Sequence, residues 1–134
     1  MLEETCHAFV RAYYKHTIRE VVARDGEYRC RYWLPDNPTR DFRLGSLVSA
    51  CAARRAKSGD TEWFASGDYA QARENALALS ENDETAAGLL IAWGERVADV
   101  LVAANQSKAD KLRTALSDRG ELSGQDVEQI LNAA

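Results

Sequence analysis

The chain has 134 residues, the size of one compact domain, and can bury a core without disulfides or a structural metal. Hydrophobic residues make up 46% and charged residues 28%, which excludes a disordered or collagen-like polymer. With 21 acidic and 17 basic residues the net charge is −4, so a nucleic-acid backbone is not an expected partner.

The apolar run over residues 86–94 is far short of the ~20 residues that span a bilayer. Met1-Leu2-Glu3-Glu4 is acidic and does not read as a secretory leader. A glycine-rich phosphate loop is also missing from the sequence. The expectation is a single domain over 1–134, cytoplasmic, with neither a membrane segment nor an ATPase module. Cys6, Cys30 and Cys51 are odd in number and have no Cys-x-x-Cys spacing, so free thiols are expected rather than a zinc knot.

Leu2, Cys6, Phe9, Val10 and Tyr13 recur every three or four residues and predict a buried helical stripe over about 2–15. Residues 17–22 and 28–34 are rich in β-branched and aromatic side chains. Asp25-Gly26 between them is a hairpin turn signal. Pro35 and Pro38 predict a loop to about Arg40. Leu44, Leu47, Val48 and Cys51 mark a second amphipathic helix, ended by Ser58-Gly59-Asp60. Within it Arg54, Arg55 and Lys57 form the one tight basic cluster, read as a solvated face.

A third helix opens at Ser66-Gly67-Asp68, with Tyr69, Ala72, Ala76 and Leu79 inward. The longest helix follows Asn82-Asp83, with Leu90, Trp93, Val97, Val100, Leu101 and Ala104 inward. Leu112 and Leu116 lie on its continuation or on a separate helix that stops at Gly120. Ser123-Gly124-Gln125-Asp126 has the form of a capping box opening a last helix, with Val127, Ile130 and Leu131 on one side. The predicted fold class is mainly α with one small β-hairpin (α+β). Trp33, Trp63 and Trp93 are expected to be core or interface anchors.

The first helix carries the residues that suggest chemistry. Glu3 and His7 are four apart and share a face, the spacing by which two helical side chains converge on one metal ion. In the zinc-protease pattern His-Glu-x-x-His, two imidazoles hold the metal and the Glu takes a proton from its bound water. Here the five positions read Glu3-Glu4-Thr5-Cys6-His7, so one imidazole is replaced by a carboxylate. The plainer reading is that Glu3 and Glu4 are acids favoured by the helix dipole, with His7 packed beside an apolar stripe. Cys6 and His7, as adjacent helical residues, diverge by ~100° and cannot form a nucleophilic dyad. His16 is expected to interact favourably with the negative end of the helix.

Glu4-Thr5-Cys6-His7-Ala8, followed by a hairpin ending Leu34-Pro35, resembles the peptidase domain of FtsH-type ATP-dependent zinc proteases, which reads His-Glu-Ala-Gly-His-Ala. The resemblance continues through residues 47–53 and through Ala65-Ser66-Gly67-Asp68, similar to the family's Gly-Ala-Ser-Asn-Asp. It ends in the tail, residues 109–116 and 121–131. It implies the family's helical fold, with His7 as the second zinc histidine, Asp68 as the distal carboxylate ligand and Glu4 as the water-activating glutamate. Glu3 stands in place of the first histidine, Arg54 where the family usually has an acid, and Ala50 where it has glycine. A longer segment between the third helix and Asp83 is mostly missing here.

Glu3, His7 and Asp68 would make a harder, more anionic set than the family's, which suits manganese or iron relatively better than usual; the cofactor implied is zinc, with manganese or iron behind it, or no metal at all. The resemblance therefore implies a metallopeptidase-like domain with a degenerate site and little or no proteolysis, a binding or regulatory module. The alternative is an active metal-dependent peptidase using Glu4 as base. The implied partner is a polypeptide substrate or another protein, a second copy of the chain included.

Overall fold

The computed structural model describes residues 2–133. The molecule is mainly α-helical with a small antiparallel sheet. Helix α1 (Leu2–Tyr13) leads into strands β1 (Ile18–Arg24) and β2 (Glu27–Tyr32), joined by the predicted hairpin. Both turn residues have positive φ, 51° at Asp25 and 80° at Gly26, the twist a two-residue hairpin needs.

Helix α2 (Arg40–Ala52) follows, capped by Thr39 accepting from the Phe42 amide at 3.1 Å. It runs into a 3₁₀ turn (Ala53–Ala56) and short helix α3 (Asp60–Ala65), a more broken ending than the continuous helix expected to Ser58. Helix α4 (Gly67–Leu79) begins under a Ser66 cap, and α5 (Glu84–Ala104) under an Asp83 cap. After a break at Asn105 comes a separate helix, α6 (Gln106–Arg119), stopped by Gly120 at φ 77°.

Beyond Gly120 the expected hairpin becomes a three-stranded sheet. Strand β3 (Glu121–Ser123) pairs with β1, Leu122 opposite Val21, giving the order β2-β1-β3. Three residues are too few to show a period. Ser123 ends β3 and also caps α7 (Gly124–Asn132) through a complete capping box with Asp126.

Helix α2 is the centre of the molecule, with every residue from Gly45 to Ala52 buried against α1, α4 and α5. In α1, Cys6, Phe9 and Val10 are buried as expected, but Tyr13 is 53% exposed; the side chain of Leu2, like Met1, lies outside the described residues. In α4, Ala72, Ala76 and Leu79 are buried and Tyr69 partly so.

Helix α5 departs most from expectation. Its buried stripe is Ala87, Ile91, Gly94, Ala98 and Val102, not Leu90, Trp93, Val97, Val100, Leu101 and Ala104. Leu90, Val97 and Leu101 pack at the margin of the core, while Trp93 and Val100 are exposed. Close approach selects small residues here: a Cβ on Gly94 would stand 3.0 Å from Cys51 Sγ and 3.3 Å from Leu47 Cγ. Of the tryptophans only Trp63 is a core anchor, fully buried; Trp33 and Trp93 are 49% and 43% exposed.

Helix α7 seats directly on β1, and a Cβ at Gly124 would overlap the Ile18 carbonyl oxygen. Gly124→Ala should therefore lower unfolding stability by about 2–4 kcal/mol in urea titration. A loss below about 0.5 kcal/mol, the range of neutral surface changes, would show that the junction is not closely packed.

Candidate functional site

Three elements bring the site together. Helix α1 presents Glu3 and His7 one turn apart on one face. The Ser66 side chain accepts from the Tyr69 amide at 3.1 Å and fixes the start of α4. Asp68 thus stands in that helix's first turn, where the helix dipole favours a carboxylate. Helix α2 supplies Ser49, fully buried.

Glu3, His7 and Asp68 converge, with one donor atom from each within 4.8 Å of the others. His7 Nε2 lies 3.2 Å from Asp68 Oδ1 and 3.9 Å from Glu3 Oε1, and His7 Nδ1 lies 3.0 Å from Ser49 Oγ. Helical spacing pointed to Glu3 and His7, and the family resemblance alone pointed to Asp68. Neither pointed to Ser49 or the fourth charged member, Lys57.

Lys57 Nζ lies 3.1 Å from Glu3 Oε2 and 3.5 Å from Asp68 Oδ2. Its side chain is only 12% exposed, so Lys57 departs from the solvated face expected of the basic cluster, while Arg54 and Arg55 stay 41% and 36% exposed. Arg54 pairs with Asp60 and Glu95, and Arg55 with Asp99. Glu95 also accepts from Trp63 Nε1 at 3.2 Å. Arg54, standing where the resembled family has an acid, is thus tied to α3 and α5 rather than to the site.

The electrostatics follow from these contacts. Burial alone would favour neutral His7, but the close contact with Asp68 and the nearby carboxylate charges of Asp68 and Glu3 raise its pKa to about 9. Burial would raise the Asp68 pKa, but the hydrogen bond from His7 and the charges of His7 and Lys57 hold it far below the usual carboxylate range. As imidazolium, His7 donates from Nδ1 to Ser49 and from Nε2 to Asp68.

Glu4, the expected base, is buried and is not one of the three converging residues. Burial raises the thiol pKa values of Cys6 and Cys30, Cys30 to about 11, and the Glu4 charge adds to both. All three cysteines are free. Cys51 is also raised by burial, to about 12, so none has the lowered pKa of a thiol nucleophile.

His16 corrects another expectation. Burial, then the charge of Arg11, lowers its pKa to about 4, so it is no cation at the helix end. It stacks on Phe42 at 4.1 Å and accepts from Arg11 Nη1 at 3.0 Å.

The two histidines bias stability in opposite directions. The His7 contribution is fully present below the unfolded pKa near 6.5 and is lost as pH rises through the folded value of about 9. The His16 contribution is present above 6.5 and is lost as pH falls toward 4. Unfolding free energy against pH should therefore peak near 6.5. His7→Gln should remove an alkaline decline of order 1–3 kcal/mol between pH 6.5 and 9; an unchanged decline would contradict the pairing. No protein-family model and no curated protein matches the chain.

Proposed function

We propose that this chain is a metallopeptidase-like domain of the FtsH type that does not hydrolyse peptides and serves as a protein-binding or regulatory module. The observation that carries the reading is the meeting of Glu3 and His7 on α1 with Asp68 at the start of α4, the positions at which the resembled family holds its zinc.

As they stand, the residues do not fit a hydrolytic zinc ion. A carboxylate replaces one imidazole, so the set is more anionic and a bound water would be less acidic. An ammonium already sits on both carboxylates.

Apolar surface supports the binding role. Trp33 and Leu34 are exposed at the end of the hairpin, and Leu89, Trp93 and Val100 along α5, the kind of surface that protein partners cover. No helix among the described residues is long and apolar enough to cross a membrane.

The test is incubation of the purified protein with an unfolded, fluorescently labelled substrate protein, with zinc or manganese and with a chelator. The expected result is no cleavage under any of these conditions. Chelator-sensitive cleavage would overturn the non-hydrolytic reading in favour of an active peptidase. Separately, Glu3→His placed in a Lys57→Met background should raise zinc affinity by about tenfold or more over Lys57→Met alone in calorimetry, since it restores the second imidazole with the ammonium no longer on Asp68. No gain would contradict the convergence.

A further inference from the structure

The two carboxylates of the site are bridged twice. Glu3 turns Oε1 to His7 and Oε2 to Lys57; Asp68 turns Oδ1 to His7 and Oδ2 to Lys57. The four side chains form a closed ring of alternating charge, two anions and two cations. Lys57 reaches it from just beyond the 3₁₀ turn, anchored by its amide donating to the Arg54 carbonyl at 3.0 Å. We propose that the Lys57 ammonium is a built-in replacement for a divalent ion: it neutralises the carboxylates, excludes metal from the native chain, and conceals a latent metal site made of Glu3, His7 and Asp68.

Charge balance supports this. A divalent ion on the two carboxylates and a neutral imidazole would itself make the site neutral. The Lys57 ammonium, 12% exposed, would then be a surplus charge beside the ion. An unpaired cation with so little access to water is strongly disfavoured, and repulsion between it and the metal adds to the penalty. Without the ammonium, the Glu3 and Asp68 carboxylates still stand beside His7 Nε2, and a divalent ion can take the position that Lys57 Nζ holds between them. The donor atoms are already gathered, and the contact from His7 Nδ1 to Ser49 Oγ at 3.0 Å orients the ring so that Nε2 can ligate.

The inference rests on the metal-site reading proposed above, and the experiment separates the two. Zinc and manganese, each alone, are titrated calorimetrically into the full native chain and into Lys57→Met, Lys57→Gln and Lys57→Arg. The native chain and Lys57→Arg should bind neither ion at micromolar concentration. Lys57→Met and Lys57→Gln should each bind one ion at least ~100-fold more tightly than the native chain, and adding His7→Ala should abolish the gain.

Native affinity equal to that of the variants would overturn the role of Lys57 and leave the metal-site reading standing. No binding by any folded variant would overturn both. In the native chain, which needs no substitution to fold, the nitrogen-15 ammonium signal of Lys57 should persist at equimolar zinc. Its loss on adding zinc would also overturn the proposal.

Discussion

The contact between His7 and Asp68 is the constraint on which the rest of the site depends. It joins the first helix to the start of the fourth at 3.2 Å. It can form only because α2 is buried between α1 and α4 along its whole second half. Glu3 and Lys57 complete the ring, and Ser49 Oγ meets the other ring nitrogen, Nδ1, at 3.0 Å. Partly buried ion pairs add little net stability, because desolvation offsets attraction, yet removing one member leaves its partner uncompensated. The ring is therefore better understood as fixing how α1 sits against α4 than as a main source of stability. That source is the apolar packing of α2, α5, α6 and Trp63.

Local chemistry was legible in the sequence. Asp25-Gly26, Ser66, Asp83 and the Ser123-Asp126 capping box each mark a boundary where the structure has one, because turns and caps depend on a few adjacent residues. Glu3 and His7 were legible from their helical spacing, and Asp68 only through the family resemblance.

What remained hidden depends on tertiary distance. The inward face of α5 was misplaced because large apolar residues dominate a periodic reading, whereas close approach to α2 requires glycine and alanine. Strand β3 exists because β1 offers an edge to Leu122, not because three residues announce a strand. Lys57 sits in a basic run that reads as solvated. Only its neighbours across the fold, Glu3 and Asp68, turn it inward.

This placement separates scaffold from chemistry. The helices that bring Glu3, His7 and Asp68 together were legible as elements, while Lys57, which sits on both carboxylates, was not. The most direct measurement of the central contact is a double-mutant cycle in urea with His7→Gln and Asp68→Asn at pH 6. A coupling energy of about 1–3 kcal/mol is predicted for so close and partly buried a pair. Strict additivity, with coupling below about 0.3 kcal/mol, would contradict the account.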